Sequence, residues 1–209
     1  MSAKTKVRIL NAAEMLFAEQ GFQQTSMRQI TAKAEVNLAS INYHFGNKKN
    51  LIQSVLQRYF DALMPLVEQS LLASRTETVH TVLERLVKPV MSLNKLRPDG
   101  TEIFVKLLGR GYNETQGHLR AFIMAHYGAT ISKLIAMIKN CLPDIQDEEV
   151  FWRLHFALGS FVFSMSSSQA LKEIAESDFH QQVNMEDVIR HLVPFVACGI
   201  ESGVSRASG

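Results

Sequence analysis

Cysteine is nearly missing from this chain: Cys141 and Cys198 are the two in 209 residues, with no CxxC spacing and no histidine at ligand distance in sequence. That pattern offers no disulfide framework and no thiolate metal site, and both thiols are expected to be buried as small hydrophobes. No run of about eighteen uncharged apolar residues is found that would cross a bilayer. The most apolar stretch, Val150 to Met165, carries Arg153 and His155 and reads as a buried helix, so no membrane partner is expected. Lys4, Lys6 and Arg8 are followed by Glu14 with no long apolar region between, which argues against a signal peptide and for a cytoplasmic protein. Strand-like alternation, low-complexity segments and internal repeats are also lacking. So are catalytic signatures: there is no nucleophile elbow, no phosphate-cradling glycine loop and no acid paired with a histidine, which argues against an enzyme. His118, His126 and His155 contain no i, i+3 or i, i+4 pair, so neither a metal nor a cofactor is expected.

Apolar residues spaced three and four apart are plentiful. With 46% hydrophobic and 20% charged residues, the chain reads as globular and all-α. Charge is unevenly spread. Residues 1–60 hold eight basic and three acidic side chains, whereas the remainder holds 14 and 17, so a polyanion partner is suggested for the first part alone. Ile9, Leu10, Ala13, Leu16 and Phe17 form one helical stripe that Gly21 closes. Ser26 and Gln29 make an S-x-x-Q capping pattern for a second helix reaching Ala34. Asn37 caps a short third helix over 38–45, Gly46 suits its left-handed end, and Asn47 caps a long helix from Lys48 with Pro65 inside it. Further helices are expected over about 78–93, 101–112, 116–140, 147–176 and 185–202.

The stretch "LASINYHFGNKKNLI", residues 38 to 52, joins a short helix to a basic helix start. Burying Ile41 and Phe45 turns Ala39, Asn42 and Tyr43 outward, with Ser40 and His44 on the flank. Small residues permit close approach to a major groove, Asn can pair bidentately with adenine, and Tyr or His can donate to phosphates. Lys48 adds a cation beside a helix N-terminus, itself an anion site. Thr25, Ser26 and Arg28 start the preceding helix and can hold the backbone of the opposite strand. Half-buried residues ahead of a solvated helix start would give the same pattern, so spacing alone leaves both readings open.

Residues 9–52 resemble the DNA-binding domain of TetR-family transcriptional regulators, with the element "YHF..K..L" present as Tyr43, His44, Phe45, Lys48 and Leu51. The resemblance implies a helix-turn-helix domain at 1–46 and an all-helical ligand-binding and dimerisation domain at 47–209. It further implies that Thr25, Ser26, Tyr43, His44 and Lys48 bind phosphates of double-stranded operator DNA, while Leu38, Ala39, Ser40 and Asn42 face bases. Two positions depart from the family pattern. Glu35 stands where glycine is usual, which asks a β-carbon to accept a left-handed turn, and Asn42 stands where an aromatic is frequent.

The same resemblance implies a homodimer joined through the last two long helices. Helix 147–176 is apolar on nearly every side and needs cover from two directions; with helix 185–202 it offers Phe161, Val162, Leu192, Phe195, Val196, Gly199 and Ile200 as interface. Phe104, Leu107, Leu108, Phe122, Phe156 and Phe163 are the expected apolar lining of an effector site, with His126 and Arg153 as polar candidates. The segments "FVKLLGRGYNETQGHLR", "FWRLHFALGSFVFSMS" and "LVPFVACGIESG" resemble the fatty-acid-responsive, PsrA-type branch of the family. That likeness implies repression of fatty-acid degradation genes, relieved by a long-chain fatty acid or its acyl-CoA. A TetR-type regulator of efflux and, more distantly, an all-α enzyme are the alternatives.

Overall fold

The computed structural model describes residues 3–72, 78–113 and 117–202. Ten α-helices make up the described chain: α1 (Ala3–Gln20), α2 (Met27–Ala34), α3 (Leu38–Phe45), α4 (Lys48–Ser70), α5 (Val79–Met91), α6 (Gly100–Asn113), α7 (Gly117–Asn140), α8 (Asp147–Ser166), α9 (Ser168–Phe179) and α10 (Met185–Glu201). The fold is all-α, as the spacing predicts. Two compact units divide it.

The first unit comprises the residues up to Leu66 together with Met91–Ala129. In it α1 packs against α2, α3 and α6. Ile9, Ala13 and Phe17 of α1, Ile30 of α2, Ile41 of α3 and Leu51 of α4 are wholly buried, each on the face its helical period assigns. Burying a side chain of this size contributes roughly 1.5–3 kcal/mol, so this small apolar core is what holds three short helices in register. Aromatic rings extend it. Tyr59 stacks on Phe104 at 5.4 Å, Phe60 meets Phe104 edge-on at 5.3 Å and stacks on Tyr127 at 5.0 Å, and the Tyr127 hydroxyl donates to Asp61 at 2.6 Å. A turn at residues 97–100 leads into α6, where Asp99 has φ 60° and a Cβ on Gly100 would lie 2.2 Å from the Leu93 carbonyl oxygen. Glycine is therefore required there.

The second unit comprises Val67–Val90 and the residues from Thr130 onward. Its core joins Val79 and Val82 of α5, Ile138 of α7, Leu142, Val150 of α8, and Val196, Ala197 and Ile200 of α10. Glu201 accepts the free Val79 N–H at 3.0 Å and so caps α5 from the far end of α10.

Two expectations are corrected here. The single helix over 147–176 is two, broken at Ser167 (φ −103°, ψ 14°), where serines cluster and the Ser166 hydroxyl donates back to the Phe163 carbonyl at 3.3 Å. Such back-bonding competes with the helix ladder without any Pro or Gly to announce it. Cys141 is half-buried, its Sγ donating to the Met137 carbonyl, while Cys198 is exposed on α10. By length and composition α7 is apolar enough to cross a membrane, a criterion that core helices also meet, but Arg120, Lys133 and Lys139 interrupt it, so no uncharged run of about eighteen residues exists in it. It buries Leu119 and Tyr127 in the first unit and Thr130 and Ile138 in the second.

Candidate nucleic-acid interface

Each turn around α3 is fixed by a local hydrogen bond. The Ser26 N–H donates to Gln29 Oε1 at 2.7 Å while the Gln29 N–H donates to Ser26 Oγ at 3.2 Å, the reciprocal box expected of S-x-x-Q. At the other end of α2, Glu35 adopts φ 50°, ψ 51°, and the N–H groups of Glu35 and Val36 return to Ala32 and Thr31. This is the Schellman ending that glycine usually serves, with a β-carbon tolerated. Asn37 Oδ1 accepts both the Ser40 N–H and the Ser40 hydroxyl at 2.9 Å, starting α3. Gly46 (φ 74°) ends it, and Asn47 Oδ1 caps α4 through the Asn50 N–H at 2.9 Å.

These constraints present one face of α3 to solvent. Leu38, Ala39, Asn42 and Tyr43 are exposed, Tyr43 to 70%, while Ile41 and Phe45 hold the helix down. Ser26 and Arg28 are exposed at the start of α2. Lys6 lies 6.0 Å over the Phe45 ring, and Lys48 donates to the Gln23 carbonyl at 3.2 Å, just beyond the negative end of α1. Arg110 donates to the Glu19 carbonyl at 3.0 Å in the last turn of the same helix. Burial, helped by nearby Lys49, pushes the His118 imidazole below its usual range, which favours its neutral form.

Several side chains assigned to DNA from the sequence are placed elsewhere. Thr25 is wholly buried, and its hydroxyl is shared by the Gly21 and Leu16 carbonyls at 2.7 and 3.1 Å, so it holds the α1–α2 turn instead of a phosphate. Ser40 is buried, its hydroxyl committed to Asn37 Oδ1 in the cap of α3. The Nε2 of half-buried His44 is enclosed and meets no hydrogen-bond partner among the described residues, so it is not turned outward to donate to a backbone oxygen. Short polar residues on a short helix serve caps as readily as ligands, and only the fold distinguishes the two.

The proposed effector contacts are divided between the two units. Phe104 and Leu107 are core residues of the first unit. Leu108 and Phe122 are partly exposed, and exposed His126 has its Nδ1 2.9 Å from the Phe122 carbonyl, to which it donates as the Nδ1–H tautomer. Arg153 is committed inside the second unit, to Glu149 at 2.8 Å and the Ile200 carbonyl at 2.7 Å. Phe156 and Phe163, expected to line a cavity, are 66% and 60% exposed on α8. With Trp152 and Gly159 they make one outward stripe at helical spacing. Among the interface candidates, Phe195 and Gly199 are exposed on α10, Phe161, Val162 and Leu192 are intermediate, and Val196 and Ile200 are buried in the unit's own core.

Sequence reasoning missed two charged residues. Glu14 of α1 is wholly buried and takes ion pairs from Arg58 Nη1 at 3.0 Å and from Arg97 Nη1. Arg8 reaches from α1 to the α2–α3 turn, its Nη2 donating to the Glu35 carbonyl at 3.1 Å and carboxylate at 3.0 Å. Nothing in local spacing marks either, because their partners lie 27 to 83 residues away.

Residues 9–55 match the family model for bacterial regulatory proteins of the tetR family, and residues 84–199 match the tetracyclin repressor-like C-terminal domain. The chain is similar to the HTH-type transcriptional repressor BepR of Brucella suis, 29% identical over 173 residues covering 68% of this chain and 81% of that one. It is 25% identical to the HTH-type transcriptional regulator UidR of Escherichia coli over 90% and 91% of the two chains. With YttP of Bacillus subtilis it shares 32% identity, over 44% of each chain. In fold it is similar to a TetR-like transcriptional regulator from Rhodococcus sp. RHA1 (TM-score 0.60, 18% identity, covering 97% and 99%) and to PfmR of Thermus thermophilus (TM-score 0.58, 18% identity, covering 95% and 98%).

Proposed function

Since the chain belongs to the TetR family, and so is a DNA-binding transcriptional regulator and not an enzyme, we propose that it is a homodimeric repressor of fatty-acid degradation genes, released from its operator by a long-chain fatty acid or acyl-CoA. In this reading residues 1–46 read DNA, and residues 47–209 sense the effector and dimerise. The outward face of α3, small and polar with Asn42 and Tyr43 at its centre, carries the DNA part. Leu38, Ala39 and Asn42 meet bases; Tyr43, Ser26, Arg28 and Lys48 meet the backbone. Duplexes selected by the protein from a random-sequence pool should contain two half-sites related by a dyad, about one helical turn apart. Asn42→Ala should cost roughly 1–3 kcal/mol on the selected operator and much less on random DNA. Equal losses on both would remove Asn42 as a reader.

Support for the lipid part comes from the likeness of three segments of the sensing half to fatty-acid-responsive regulators and from the apolar length of α7. Leu108, Phe122 and His126 are the contacts this reading retains. Moving an operator complex from 99% bound to 99% released requires about 5.5 kcal/mol of preference for the released conformer. Each buried methylene contributes about 0.8 kcal/mol, of which only the part that differs between the two conformers counts, so a long chain has the reserve to supply that preference and a short one falls below it. Oleoyl species should therefore release the operator at concentrations where octanoyl species do not. Equal action of both, or release by a cationic dye alone, would favour the efflux-type alternative.

A further inference from the structure

Three residues, 35 to 37, connect α2 to α3, so the backbone angles of Glu35 largely set the direction in which α3 leaves α2. Glu35 sits at φ 50°, ψ 51°, a region that glycine enters freely and a β-carbon does not. The residue that grips its side chain comes from neither α2 nor α3 but from the first turns of α1: Arg8. One nitrogen, Nη2, donates both to the Glu35 carbonyl oxygen at 3.1 Å and to its carboxylate at 3.0 Å. Gripping main chain and side chain of one residue together restricts rotation about its backbone, which a bond to the carboxylate alone would not do. The same contact places a cation against the one acidic side chain in the turn before the DNA-facing helix.

We propose that Arg8 is a positioning residue for operator recognition: it holds Glu35 in the left-handed turn and thereby fixes the angle of α3, taking over the part that a glycine would play unaided. The inference rests on the DNA-binding reading above. It assigns Arg8 no contact with the nucleic acid.

Affinity for the selected operator, measured by fluorescence anisotropy across a salt series, tests this in a double-mutant cycle. Arg8→Ala should weaken binding about fivefold, the equivalent of about 1 kcal/mol for an unsupported left-handed residue, with the slope of log K against log salt unchanged. The same substitution in a Glu35→Gly background should change affinity less than about twofold, because glycine needs no clamp. In a Glu35→Gln background, which keeps the β-carbon and removes the charge, the Arg8→Ala loss should persist. Were the loss abolished equally in the Gln and Gly backgrounds, charge neutralisation would be the role and positioning would be wrong. A loss that persists in the Gly background with a slope reduced by about one per half-site would make Arg8 a phosphate contact instead. No loss in any background would also overturn the proposal. If the wild-type chain selects no duplex at all, it is the DNA-binding reading that fails, and this inference falls with it.

Discussion

Replacing Glu14 with Ala should lower folding stability by roughly 3–5 kcal/mol, because removing one partner of a buried ion pair strands the other charges. Glu14 has no exposed surface, and its two carboxylate oxygens are divided between Arg58 and Arg97. Besides Glu14, Arg58 keeps a hydrogen bond to Asn11 Oδ1 at 2.8 Å, and Arg97 one of 3.4 Å to the Pro98 carbonyl. Because their side chains are 25% and 29% exposed, both can partly rehydrate, which puts the expected loss at the lower end of the range. For a chain of this size that corresponds to a fall in melting temperature of about 6–12 °C. The Tyr59 phenol should respond as well. Burial is the main cause holding its pKa far above the usual range and the Glu14 charge is the next, so spectrophotometric titration of the folded variant should show a downward move. A melting temperature within about 2 °C of wild type would show that the triad contributes little at this site.

Glu14 also shows where local pattern stops being informative. It lies between Ala13 and Leu16 on a stripe whose apolar members were read correctly, but one acid on such a helix is indistinguishable from a solvated one until Arg58 and Arg97 arrive from 44 and 83 residues away. The helix-turn-helix was readable because its determinants are short-range. Ser26 with Gln29, Asn37 with Ser40, and Gly46 all act within four residues. Even the strain at Glu35 follows from a missing glycine in a turn of known shape, whereas the Arg8 clamp that relieves it does not. Thr25 and Ser40 show a related limit: a short hydroxyl next to a turn has the same sequence signature whether it faces a carbonyl or a phosphate. On α8 the difficulty was symmetry. A helix apolar all round has no periodicity to say which side is inward, and Phe156 and Phe163 were placed on the wrong one.

That outward side carries the other large effect. Trp152, Phe156 and Phe163 on α8 and Phe195 on α10 expose between 49% and 69% of their surface, an apolar extent that a monomer in water rarely leaves uncovered. Adjacent residues of α10 lie in opposite environments. Phe195 is 69% exposed, whereas Val196 is 9% exposed and belongs to the core with Val79, Val150 and Ile200. Phe195→Asp should leave the helical content of the chain intact, since the ring makes no part of that core. In a dimer closed through this face the carboxylate would be buried without a partner, at a cost of several kcal/mol. A penalty of about 4 kcal/mol raises the dimer dissociation constant roughly a thousandfold. Operator affinity at nanomolar protein should fall steeply with it, because two half-sites are read with full strength only by linked recognition helices. Val196→Asp should behave differently, unfolding the chain before any question of assembly arises. Sedimentation velocity and circular dichroism on the pair distinguish the cases. A Phe195→Asp protein that remains dimeric at micromolar concentration and binds its operator normally would place the dimer contact elsewhere, and the exposed rings of α8 and α10 would then need another partner.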